Sequence, residues 1–168
     1  MSSLPGDGDE QAAVPLGANL LLCRYAEAND GLLTIVGGGI MVAPSPGSPW
    51  YLAGSIDIPS RSVAQGFHLR LLGPDRLPVI GEGGAFIEAR VRVSSGNPQD
   101  SPPDDGRMLR IPLVVPLPTT EHFPAADSLG EIQYWEFSGE AIRSVLLPFR
   151  MSWTGPGEEN QDPDEDDR

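Results

Sequence analysis

A chain of 168 residues is the size of one domain, and its 18 prolines and 20 glycines interrupt helices too often for a helical bundle. Its net charge of −13 repels phosphate backbones and anionic lipid, which argues against nucleic acid and membrane surfaces as partners. All 11 basic residues are arginine, as the codon bias of a GC-rich genome produces, so no lysine can serve as base or Schiff-base former.

In chain order, residues 1–17 are small, acidic and Pro/Gly-containing, and a disordered tail is expected there. A strand follows over 18–28. It holds "NLLLCRY", in which Cys23 is read as a buried structural thiol, since a lone cysteine makes no internal disulfide. Asn29, Asp30 and Gly31 join it to a second strand, because Asp-Gly between apolar runs is a hairpin signal. That second strand, 31–43, contains Gly37, Gly38 and Gly39. Glycines that cradle phosphate close a strand and open a helix, but Pro44, Pro46 and Pro49 forbid a helix here and no Lys-Ser/Thr follows. The three glycines are read as a bend or bulge.

Further strands are expected over 50–58 and 66–73, with His68 on the outer face. "GEGG", 81–84, is a flexible loop. In "AFIEARVRV", 85–93, Ala85, Ile87, Ala89, Val91 and Val93 share one face, while Phe86, Glu88, Arg90 and Arg92 share the other; this is a half-buried strand with a charged outer face. A long polar loop, 95–107, leads to "MLRIPLVVP", 108–116, where Leu109, Ile111, Leu113 and Val115 alternate with residues that include Pro112 and Pro116. Proline lacks the ladder N–H, so this strand belongs at a sheet edge. After an irregular connection over 118–130, with one helical turn near 124–129, come strands at 130–138 and 144–151. Gly139 and Glu140 join them, and the second contains Pro148, which makes it a further edge candidate. Residues 154–168 hold seven acids and form a second disordered tail.

Seven to nine short antiparallel strands with regular turn signals predict an all-β fold, an antiparallel β-sandwich over 18–153 flanked by acidic tails at 1–17 and 154–168. A lipocalin-like barrel is the alternative architecture. The run "CRYAEANDGLLTIVGGGI", through Tyr25, Ala26, Glu27, Gly31, Leu32 and Gly37 to Gly39, resembles the start of an uncharacterised family of small, mostly actinobacterial proteins known as a domain of unknown function. A weaker echo lies in "YWEFSGEAIRSVLLPFRM", so the likeness spans about 18–152. It implies an Ig-like or C2-like sandwich and carries no catalytic motif.

The remaining candidate sites are sparse. Two histidines, His68 and His122, with one cysteine cannot build a dense zinc site. Asp30, Asp57, Asp75, Asp104 and Asp105 would bind calcium only if gathered at one end of the sandwich; turn aspartates ordinarily cap their own turns. No nucleophile elbow is present. Glu158 and Glu159 lie in a tail with no rigid shell to tune them. Trp135, Phe137, Tyr134 and Phe149 are expected in the core, whereas Trp50, Tyr51 and Trp153 either close the ends of the sandwich or form a contact patch, the closing role being the ordinary one.

These readings nominate no catalytic, metal or cofactor-binding residue and lean away from an enzyme. The N-terminal stretch lacks a positive n-region and an apolar h-region, and no apolar run reaches membrane-spanning length, so a cytoplasmic protein is expected. The leading expectation is a non-catalytic protein-interaction or structural module, with an unidentified protein partner or self-association through an edge strand. The alternative is a small-molecule or metal-binding protein or enzyme with its site in the loops 74–84 and 95–107.

Overall fold

The computed structural model describes residues 17–59, 65–81, 83–93, 108–123, 130–139 and 142–151. The expected tails, the loop 95–107 with Asp104 and Asp105, the turn near 124–129, Trp153, Glu158 and Glu159, and the His122 side chain lie outside them.

Eight strands form two four-stranded antiparallel sheets: β1 (Ala18–Asn29), β2 (Leu32–Gly38), β3 (Tyr51–Pro59), β4 (Gln65–Leu72), β5 (Glu88–Val93), β6 (Met108–Pro116), β7 (Ile132–Gly139) and β8 (Ile142–Arg150). The first sheet has the order β2-β1-β3-β6 and the second β5-β4-β7-β8. Among the described residues the only helical element is a 3-10 turn at Thr120–His122, and no helix is long and apolar enough to cross a membrane. The sandwich is therefore the observed architecture, as the period-two pattern predicts.

Alternation builds the core. Leu20, Leu22, Leu52, Ile56, Ile58, Leu113 and Val115 face inward from the first sheet, against Phe67, Leu69, Leu71, Trp135, Phe137, Leu147 and Phe149 from the second. Trp50 fills one end: it is fully buried, meets Phe149 edge-on at 5.2 Å and donates its indole N–H to the Pro118 carbonyl at 2.7 Å. The Thr120 hydroxyl donates to the Pro44 carbonyl nearby. Trp50 thus closes the sandwich end and is no part of an exposed patch. Tyr134 departs from expectation. It lies half-buried on the outer side of β7, beneath the Arg76 guanidinium, because period two sends it opposite to Trp135.

The first hairpin turns on Asp30 (φ 50°) and Gly31 (φ 77°), two positive φ values of the kind a two-residue loop needs, and brings Asn29 opposite Leu32. The glycine run bends the chain, with Gly37 at φ 61° and Gly39 at φ 77°. Beyond the bend the backbone changes sheets: Ile40 N–H still donates to Leu22 of β1, whereas Ala43 N–H donates to Arg150 of β8 and Arg150 N–H donates to Met41. The glycines thus let one strand serve the edges of both sheets, which is how sandwich corners are made.

Residues 73–87 are more ordered than a loop reading implies. Leu71 N–H donates to Ile87, Ile87 N–H to Val79, and Val79 N–H to Leu71, a closed ring of three backbone bonds at 2.9, 3.1 and 3.0 Å. The ring wedges 77–81 between the diverging ends of β4 and β5. Gly81 and Gly84 then belong to the turn of a short ribbon, with Gly84 N–H donating to Gly81 and Gly81 N–H to Ala85.

Candidate functional site

Hydrogen-bond parity shows which backbone groups each sheet edge presents, because the N–H and C=O of one strand residue point to the same side. In β6, Leu117 N–H donates inward to Trp50, so odd residues pair with β3 and even residues face outward. Pro112 and Pro116 are even, and their rings replace two donors on the open side. In β8, Arg150 bonds outward to Met41 and Ala43, so Pro148, of the same parity, likewise removes an outward donor. The expectation that prolines mark edges is met in both strands, and the same prolines blunt those edges. In β2, even residues face β1 from the hairpin onward. Its open side is thus confined to Leu33 and Ile35 before the left-handed Gly37 breaks the ladder.

The β5 edge differs. Ile87 exchanges its bonds with Leu71 and Val79, and Ala85 accepts from Gly81, so odd residues pair inward. The N–H and C=O of Phe86, Glu88, Arg90 and Arg92 therefore face outward, and among the described residues nothing pairs with them. No proline or bulge interrupts this row. Its inward side chains, Ile87, Ala89 and Val91, are half-buried against the core, while Glu88, Arg90 and Arg92 are exposed. Phe86 is 57% exposed beside Ile80, its cross-strand partner.

The two outer faces contrast. On the second sheet, rows of paired residues run Arg90–His68–Ser138 and Glu88–Arg70–Glu136 across β5, β4 and β7. Arg70 Nε stands 3.7 Å from Glu136 Oε2, and the Ser144 hydroxyl donates to the same carboxylate. On the first sheet the outer face carries an apolar patch: Cys23 and Ala53 are fully buried beneath Leu21, Ile35, Tyr51 and Val114. Burial pushes the Cys23 thiol above its ordinary pKa. The Tyr25 hydroxyl donates to Glu27, whose carboxylate raises the phenol further.

The candidate ligands from the sequence do not converge. His68 is exposed on the outer face of the second sheet, as expected, and Cys23 is under the outer face of the first. Asp30 sits in the turn after β1, whereas Asp57 pairs beside the opposite end of that strand, where its N–H donates to Gly17. Asp75 caps its own turn by accepting from Leu77 N–H at 3.0 Å. Asp57 holds Arg110 across β3 and β6 at 2.8 and 3.2 Å, and that bond keeps its carboxyl below the usual range. Among the described residues, no three His, Cys, Asp or Glu side chains form a metal-binding group.

What the sequence reading missed is that 85–93 is an edge strand. Alternation identifies a strand and its faces but says nothing about its neighbours. The chain matches no family model, no curated protein and no solved structure.

Proposed function

We propose that this chain is a non-catalytic protein-interaction module that binds by adding a partner strand to its second sheet at β5. One observation carries the reading: among the described residues, the β5 row alone of the four sheet edges offers four successive outward-facing residues with neither proline nor bulge. An extended partner takes its main-chain bonds from such an edge and its selectivity from alternate side chains. Here those are Phe86, Glu88, Arg90 and Arg92 on one face and Ile87, Ala89 and Val91 on the other. The acidic net charge supports a protein partner over nucleic acid or a membrane surface.

The test is capture from lysate by the full-length chain beside Arg90→Pro, with self-association followed on the same samples. Position 90 faces outward, so a proline there is accommodated as Pro112 is in β6, which circular dichroism and a melting curve verify. Retention of a partner, or of a second copy, by the parent and its loss in Arg90→Pro supports the module. Retention equal in both, or no association of either kind, contradicts it.

A further inference from the structure

We propose that the strand added to β5 is β5 of a second copy of this chain, joined antiparallel about a two-fold axis at Ala89. The inference rests on the open-edge reading and supplies its partner. The outward backbone groups belong to even-numbered residues, so an antiparallel copy must set even residues opposite even residues to exchange hydrogen bonds. That restricts the register to steps of two, and charge chooses among them. One step places Arg90 on Arg90 of the second copy. The opposite step places Glu88 on Glu88. A further step places Arg90 on Arg92. Like charges directly opposite are unfavourable in each case.

With Ala89 on the axis the conflict vanishes. Glu88 meets Arg90 of the second copy, and Arg90 meets its Glu88. Phe86, exposed in the single chain, comes opposite Arg92 of the second copy, a cation–π pairing made twice by symmetry. On the other face Ile87 meets Val91, Val91 meets Ile87, and the small Ala89 meets itself where the two strands cross. Each of these apolar side chains is half-buried in one copy because β5 is an edge, so a neighbouring strand completes its cover. The segment "FIEARVRV" is thus complementary to its own reverse in charge, aromatic and apolar positions together. A closed two-fold pair uses the same patch on both copies, and it uses up the open edge on both. The product is one continuous sheet in the order β8-β7-β4-β5-β5-β4-β7-β8.

The experiment is sedimentation equilibrium of the full chain from about 5 to 500 μM, since a dimer follows mass action. The parent is expected to dimerise with concentration. Arg90→Glu sets two carboxylates opposite each other at both symmetry-related positions, and Glu88→Arg does the same with two guanidinium groups. Each variant alone should weaken association at least about tenfold. Mixed in equal amounts, the two restore complementarity at every pair, so native mass spectrometry should find the mixed dimer above either homodimer. Arg90→Pro should be monomeric throughout. A parent that stays monomeric over the whole range overturns the proposal, as does a dimer indifferent to all three substitutions. If the parent is monomeric yet Arg90→Pro abolishes capture of another protein, the second copy is refuted and the open-edge module stands. If Arg90→Pro alters neither association nor capture, both fail.

Discussion

Replacing Gly54 by alanine tests the packing of the first sheet where it is tightest. Gly54 lies at the centre of β3, paired with Leu20 on one side and Leu113 on the other. A Cβ built there comes 1.9 Å from the Asn19 carbonyl oxygen and 2.9 Å from Leu20 Cα, both backbone atoms. An ordinary contact needs well over an ångström more, so β1 and β3 must part locally. About two ladder bonds are then lost or stretched, at roughly 1 kcal/mol each, and forcing atoms into a filled site adds roughly 1–3 kcal/mol. The stiffer unfolded chain offsets about 0.4–1 kcal/mol. The net is a destabilisation of about 3 kcal/mol, a large share of the ~5–15 kcal/mol of a whole domain. For a domain of this size that lowers Tm by roughly 6–12 °C, measured by circular dichroism beside the parent. A shift below about 2 °C would refute the close approach of β1 to β3 on which the first sheet is built.

Three further outcomes follow from individual side chains. Trp50→Phe removes the indole donor from the Pro118 carbonyl and opens a space among Phe149, Trp135 and Phe123, so urea unfolding should show a loss of about 1–3 kcal/mol. Cys23 is buried with its pKa raised, so a thiol reagent at about pH 8 should label it only after denaturant is added, and fast labelling of the native chain would contradict its burial. Asp57 has its carboxyl pKa lowered by Arg110; its contribution is present above the ordinary aspartate range and is lost as pH falls through the depressed value. Asp57→Asn should therefore flatten the acid side of the stability–pH curve. The effect should be small because the pair is exposed, and Tm curves at pH 2 to 6 with no difference at all would contradict the pairing.

Local features of this fold are legible in the residues. Asp30 and Gly31 announce their hairpin, "FIEARVRV" announces two faces, and the prolines after Gly39 rule out a phosphate loop. Long-range features are not. That the chain leaves β1 at Ile40 and reaches Arg150 at Ala43 depends on a partner more than a hundred residues away. The ring of Leu71, Val79 and Ile87 is equally silent, because backbone bonds leave no side-chain signature. Trp50 reads ambiguously beside Pro49 because a tryptophan serves core and interface alike, and only the Pro118 carbonyl within reach decides for the core. Pro112 and Pro148 mark edges from sequence alone. Yet they mark the blunted ones, and the open edge is recognisable only once β4 is seen on one side of β5 and, among the described residues, nothing on the other.

The open β5 edge is the central claim, and residue-resolved amide hydrogen exchange on dilute full-length chain tests it most directly. The N–H groups of Ala89 and Val91 point to β4 and should be protected, while those of Glu88, Arg90 and Arg92 should exchange freely and become protected as concentration rises. Uniform protection along β5 in dilute solution, or the reversed alternation, would contradict the account.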